Sequence, residues 1–401
     1  MALLFTQASM TKCIKITSVV CQKNSALSTA SSRKFSSTKI MHTINNKEIT
    51  KSVFISQSHD IFTNLALEDW LYKNVDFTNH HIMLLWRNDP CVVIGRHQNP
   101  WLEANLELLD KSGIELARRN SGGGTVYHDR GNLNITFFAP KDRYNRKKNL
   151  ELISKTLEKE WNLNPEINKK EDIVLDNDHK ISGTASKLGR PNSYHHCTIL
   201  VNVDREKLSN SLKKDEKYSI TTNATKSVPA KIVNLSNLIN NITVDNLAKA
   251  VGWAYLRTSA VTHKDEGWSF VEKQRGFQMI NPTDDWFPGL NKILEGFKSW
   301  DWKFAKTPNF TIYKNVGFPE LKDGTMRIGI LVEKSVVAQV LLDIPEGVSW
   351  SGFTGTVPIV TSLVGQKFTP ALFVQVEDAI RSQPIKLAGE PEKKFELTAR
   401  I

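Results

Sequence analysis

The first 47 residues contain no aspartate or glutamate, although the whole chain of 401 residues carries 42 acids. Seven lysines and arginines sit in that acid-free stretch, from Lys12 to Lys47, among abundant serine and threonine. Only four cysteines occur, and two of them, Cys13 and Cys21, fall in the same stretch. The remaining pair, Cys91 and Cys197, lie in apolar runs, so neither a disulfide framework nor a cysteine metal site is expected. No run of 18 apolar residues is present, which excludes a membrane-spanning helix of ordinary length. The phosphate-binding pattern Gly-x-x-x-x-Gly-Lys-Ser/Thr and the spaced Gly-x-Gly-x-x-Gly fingerprint are also missing, which disfavours P-loop kinases and hydride-transferring enzymes.

The net charge of +11 is misleading until it is located. Taking the seven leader cations from 53 leaves 46 against 42 acids, a net charge of +4. That is too mild to demand a nucleic acid, and no basic cluster is interleaved with aromatics. It suits an acidic protein partner. An acid-free, Ser/Thr-rich, Lys/Arg-dotted leader has the composition of an organelle transit peptide, and the mitochondrion is the expected compartment.

What the chain has in quantity is glycine in one place. Arg118-Arg119-Asn120-Ser121-Gly122-Gly123-Gly124-Thr125-Val126-Tyr127-His128-Asp129 is followed by Gly131-Asn132. Consecutive glycines admit positive φ and let backbone amides approach an anion unobstructed by Cβ atoms. Gly122, Gly123 and Gly124 are therefore candidate anion-binding residues, and the two arginines are expected to add charge-assisted donors to the same anion. Lys180 leads a second small-residue turn, Ser182-Gly183-Thr184-Ala185, where an ammonium would neutralise a phosphate and polarise an acyl carbonyl. His195-His196 suggests a metal pair, but adjacent strand residues face opposite ways, so no metal site is expected.

Periodicity gives the rest. Asp60 is positioned to cap a helix through Trp70, and Met83–Trp86 and Cys91–Ile94 read as strands. Further helices are expected from Leu106, after Asn149 and around Asp245–Ala254, with strands at Asn134–Ala139 and His196–Val203. Strands without strict alternation predict an α+β fold with mixed or antiparallel sheets flanked by helices. The expected division is a leader over 1–47, a catalytic domain over 48–275 and a small α+β accessory domain over 276–401, with Thr258 to Gly276 as connecting structure.

The glycine segment at 118–132 resembles the signature of the lipoate–protein ligase A and lipoyltransferase family. So do Leu85-Trp86-Arg87-Asn88, Val93–Trp101 and Lys180-Ile181-Ser182-Gly183-Thr184-Ala185, while Tyr194-His195-His196-Cys197-Thr198 looks like the mitochondrial animal lipoyltransferases. The resemblance covers nearly all of residues 50–400 and implies a biotin/lipoate ligase-like fold. It implies transfer of a lipoyl group to a lysine of the lipoyl domains of 2-oxoacid dehydrogenase E2 subunits, with the glycine-cleavage H protein as donor or acceptor. By position, Arg119 and Gly124 to Tyr127 (Thr125 and Val126 included) resemble the nucleotide and acyl segment. Lys180 resembles the lysine that contacts the lipoyl carbonyl and the phosphate of lipoyl-AMP, and Thr198, Thr225 and Ser227 resemble further contacts. Lys170 stands where relatives often carry arginine, a point charge in place of a fork. Thr225-Lys226-Ser227-Val228-Pro229-Ala230-Lys231 replaces an arginine-bearing loop of the bacterial ligases, which favours transfer over a complete ligase using ATP and Mg. A non-catalytic cofactor-binding module is the alternative of a different class; biotin ligase and octanoyltransferase motifs are not matched.

Overall fold

The computed structural model describes residues 49–176, 178–257, 276–318, 321, 324–359 and 361–387. The expected transit peptide, its two cysteines and most of the connecting segment lie outside these residues.

A mixed six-stranded sheet organises the larger part. Its order is Ser182–Leu188, Asn192–Leu200, Asn132–Pro140, His80–Trp86, Thr50–Ser56 and Gly276–Ile280. The first four strands are mutually antiparallel, and the last two join in parallel. One face, with Met83, Leu85, Ile135, Phe137, Cys197 and Ile199, packs on the helices Arg146–Trp161 and Val244–Arg257. Leu150, Ile153 and Leu157 recur at helical spacing and are fully buried there, each stabilising by roughly 1.5–3 kcal/mol through burial. That first helix begins at Arg146 rather than after Asn149, because Asn145 accepts a hydrogen bond from the Lys148 N–H and caps it. The expected cap at Asp60 is formed as well, onto Thr63 of the Ile61–Asn74 helix.

The opposite face of the sheet meets that helix and a small three-stranded sheet. In the small sheet Cys91–Ile94 is central, parallel to Glu115–Arg118 and antiparallel to Val126–His128. The strands Met83–Trp86 and Cys91–Ile94, adjacent in sequence, thus belong to different layers.

A five-stranded antiparallel sheet, Ser219–Thr222, Phe310–Gly317, Thr325–Glu333, Val336–Asp343 and Thr356–Ile359, packs on the helix Leu372–Arg381. Pairing crosses the expected 275/276 boundary in both directions. Gly276–Ile280 extends the large sheet, while Ser219–Thr222 edges the C-terminal one. The described residues form one compact unit. Trp101 helps to join its parts, lying 5.1–5.4 Å, ring to ring, from Phe304, Phe310 and Phe368. Among the described residues no helix is long and apolar enough to cross a membrane.

Candidate active site

The glycine loop links Glu115–Arg118 to Val126–His128, the two edge strands of the small sheet, and so crosses the C-terminal end of its central strand Cys91–Ile94. Its shape is set by Arg119. The guanidinium donates to Gly122 O at 2.6 Å, Gly124 O at 2.7 Å, Val93 O at 3.0 Å and Ser121 Oγ at 2.9 Å. Arg118 is buried too, and donates to the carbonyls of Gly95, Arg96, Gln98 and Lys303 and to Thr307. This corrects the sequence expectation that both arginines aim at the anion. They are internal struts, buried because each finds enough carbonyl acceptors to offset its desolvation. Burial pushes both guanidinium groups down to about 10, which leaves them charged at neutral pH.

With two loop carbonyls turned toward Arg119, the N–H groups of Gly122, Gly123 and Gly124 donate to no group among the described residues. Gly123 has φ +88°, which favours glycine. The loop sits so close that a Cβ on Gly95 would lie 2.1 Å from Gly123 O.

A second segment closes one side. Ser227 Oγ accepts from Thr125 N at 2.8 Å and from Gln98 Nε2 at 3.0 Å, and Ser227 N donates to buried Glu103. Gln98 Oε1 in turn accepts from Gly95 N and Thr125 Oγ1. Thr225 is exposed but held by His97 through a backbone bond of 3.1 Å. Thr125, Thr225 and Ser227 are therefore brought beside the glycine loop.

Lys180 approaches from the other side. Its Nζ pairs with Asp172 at 2.9 Å. A Cβ on Gly183 would lie 3.6 Å from that ammonium and 3.5 Å from Thr198 Oγ1, so these three positions meet. Thr198 Oγ1 also accepts from Gly183 N at 3.1 Å. Residues 231–233 run alongside, with Lys180 N donating to Lys231 O and Val233 N donating to Lys180 O. The loop reaches the same strand one step further on: a Cβ on Gly123 would lie 3.7 Å from Ala185 Cβ and 3.9 Å from Thr184 O. Lysine and amide cradle thus converge on consecutive residues of Ser182–Leu188.

Two expected residues lie apart. Tyr127 points away, because strand alternation puts Val126 on the side of the large sheet and Tyr127 among Val92, Ile94 and Leu116. Burial raises its phenol well above the ordinary range. Lys170 is exposed in the Asn168–Asp172 turn, and no contact joins its side chain to the cleft, although its neighbour Asp172 holds Lys180.

Sequence reasoning passed over a buried chain behind the loop. Ser121 Oγ lies 2.8 Å from His196 Nε2, and His196 Nδ1 lies 2.8 Å from Glu68 Oε1, which also accepts from Thr136 Oγ1. The alternation that ruled out a His195–His196 metal pair was the available signal, since it turns His196 alone toward this site. His195 stacks on Phe137 on the far face, where burial holds its imidazole well below the ordinary range.

Residues 60–255 match the family model described as the lipoyl protein ligase A/B catalytic domain. A mouse protein named mitochondrial lipoyl amidotransferase is 40% identical over 79% of this chain and 81% of its own length. Lipoate-protein ligase A of Psychrobacter cryohalolentis is 33% identical over 70% and 78%. The chain belongs to the lipoate–protein ligase and lipoyltransferase family. Among solved structures, Plasmodium falciparum LipL1 in complex with lipoate superposes with a TM-score of 0.53 at 29% identity, covering 73% of this chain and 84% of that one. A lipoate-protein ligase A bound with ATP shares the fold, with a TM-score of 0.50 at 22% identity over 64% and 98%. This is a family of enzymes, and its α+β fold of mixed sheets and flanking helices is the one expected.

Proposed function

We propose that this enzyme transfers a lipoyl group from an activated or protein-bound donor to a lysine of lipoyl domains in 2-oxoacid dehydrogenase E2 subunits. The observation that carries the reading is the meeting of a lysine ammonium and unpaired main-chain amides on one strand, Ser182–Leu188. When lipoyl-AMP is the donor, the amides of Gly122 to Gly124 hold its phosphate and Lys180 faces its acyl carbonyl. The acceptor lysine attacks as a neutral amine. Negative charge then grows on the carbonyl oxygen, beside a positive charge that Asp172 already holds in place, so little reorganisation is needed. Thr198 offers a further hydroxyl on the same side.

Transfer from a ready-made donor suits a cleft whose arginines are engaged with carbonyls, leaving Lys180 and the cradle to bind one phosphate rather than three. The glycine-cleavage H protein, carrying a lipoyl-lysine, is the protein-bound donor that this reading admits. Work in the mitochondrial matrix agrees with the acid-free leader and with the names of the mouse and human relatives. Purified protein mixed with an apo lipoyl domain and, separately, lipoyl-AMP, lipoylated H protein, or lipoate with ATP and Mg tests the proposal. Lipoylation with either of the first two donors is expected; none with any donor overturns the reading.

A further inference from the structure

An adenylate and an amide set different demands on the enzyme. A phosphate leaves without needing a proton, whereas the amine leaving an amide must receive one as the C–N bond breaks. Lys180 is committed to Asp172. The group beside the cradle that can take and return a proton is the imidazole of His196.

Its surroundings are ordered for that task. Arg119 Nε can only donate, so Ser121 Oγ is its acceptor at 2.9 Å and the serine proton is free to point at His196 Nε2. Glu68 accepts from Nδ1 and fixes the tautomer in which Nε2 is the base. Thr136 Oγ1 at 2.8 Å holds the Glu68 carboxylate in turn. Nucleophile to base and base to orienter are each one hydrogen bond long, which is the geometry by which a serine triad is recognised. The residues directly after the serine are Gly122 and Gly123, whose N–H groups have no partner among the described residues. That is where an oxyanion hole is built from main-chain donors. A Cβ on Gly122 would meet nothing within 4 Å, so the space beside the residue after the buried Ser121 is open.

We propose that Ser121, His196 and Glu68 form a nucleophilic triad that takes the lipoyl group from a protein-bound lysine amide as a Ser121 ester, then passes it to the acceptor lysine. Ser121 Oγ attacks the amide carbon while its proton moves to His196 Nε2. The amides of Gly122 and Gly123 hold the oxyanion. The C–N bond breaks as His196 returns the proton to the departing lysine amine. The neutral acceptor amine attacks the ester, His196 takes its proton, and the C–O bond breaks with that proton restored to Ser121. One amide replaces another, so no nucleotide, oxidant or water is consumed. Arg119 is a positioning residue for this step, because it fixes both the serine oxygen and the carbonyls that turn the amides outward.

This inference rests on the transferase reading, and the test separates the two. The p-nitrophenyl ester of lipoate is mixed with the full-length protein without acceptor, and bound lipoyl is mapped by peptide mass spectrometry. A rapid burst of nitrophenolate close to one equivalent per protein, with the adduct on Ser121, is expected. Ser121→Cys should give a hydroxylamine-labile thioester at the same position, and Ser121→Ala should give none. Ser121→Ala should also cut transfer from lipoylated H protein by roughly 10³-fold or more, a larger loss than in transfer from lipoyl-AMP. A wild-type protein that forms no adduct at Ser121, or a Ser121→Ala variant exchanging amides within about tenfold of wild type, overturns the triad. Acylation of Ser121 with no lipoylation of an apo lipoyl domain from any donor instead overturns the transferase reading and the transfer half of the triad, leaving only Ser121 as a nucleophile.

Discussion

The two large sheets solve the same packing problem with different residues. The C-terminal sheet turns Phe310, Ile312, Met326, Ile328, Ile330, Val332, Val340 and Leu342 into its core, an apolar inner face with polar neighbours confined to the margins. The six-stranded sheet has one such face, but its other face carries Asn134, Thr136, His196 and Thr198 in neighbouring strands. Buried polar groups cost about 1–3 kcal/mol each unless satisfied, so a fold gains no stability by choosing them over aliphatic residues. Here Glu68 and Ser121 satisfy Thr136 and His196 on that face, whereas Asn134 Nδ2 has no hydrogen-bond partner among the described residues. The difference separates a face that only packs from one arranged for a ligand.

Several substitutions sharpen or break this contrast. Lys180→Ala should reduce lipoyl transfer from lipoyl-AMP by about 10²–10³-fold, the range for losing one preorganised donor to an oxyanion, while leaving the melting temperature nearly unchanged. Single-turnover assays beside calorimetry check both halves. In the C-terminal sheet, Ile330→Ala should do the reverse. A fully buried side chain is removed, costing about 2–5 kcal/mol of stability, with transfer per folded molecule kept within a few fold. Denaturant unfolding combined with active-site titration would show it; a large loss of turnover in folded protein would erase the distinction.

Ser227→Ala removes an acceptor shared by Thr125 N and Gln98, worth roughly 1 kcal/mol per bond. The Michaelis constant for lipoyl-AMP should rise about five- to thirtyfold with a smaller change in kcat. The smallest effect is a pH slope. Burial lowers His81 to about 4 and His128 to about 3, so both stay neutral in the folded chain while the unfolded chain protonates them near pH 6.5. Their contribution is intact above pH 6.5 and falls as the pH drops toward 4, because the unfolded state then binds more protons. His128→Gln should flatten that decline in thermal unfolding measured between these limits.

Much of the fold was legible in the chain. Asp60 and the Leu65–Trp70 stripe marked their helix, and unbroken apolar runs marked Cys91–Ile94 and the buried strand through Cys197. The partnership between sheets was not. Ser219–Thr222 and Gly276–Ile280 are short strands whose partners lie about a hundred residues or more away, and local pattern does not encode such pairing. Within the site, Lys180 and the glycines stood out because their residue types suit an anion or acyl ligand, whereas Thr125, Thr198 and Ser227 came only with the family resemblance. Arg119 was named for the wrong partner, since donor count in a sequence does not reveal how many carbonyls will surround it. Glu68 was missed because an acid in a largely apolar helix looks like a solvated surface residue until Thr136 and His196 are seen to hold it.

The central claim is that Lys180 and the glycine cradle grip one ligand. Calorimetric binding of a non-hydrolysable lipoyl-AMP analogue to wild type, Lys180→Ala, Gly123→Ala and the double variant tests it most directly. Gly123→Ala places a Cβ at φ +88° and 3.1 Å from Arg119 Nη2, which must deform the loop. The account predicts that each single change weakens binding and that the double variant departs from additivity by about 0.5–3 kcal/mol, as groups sharing a ligand do. Wild-type affinity in either single variant, or strictly additive losses, would contradict it.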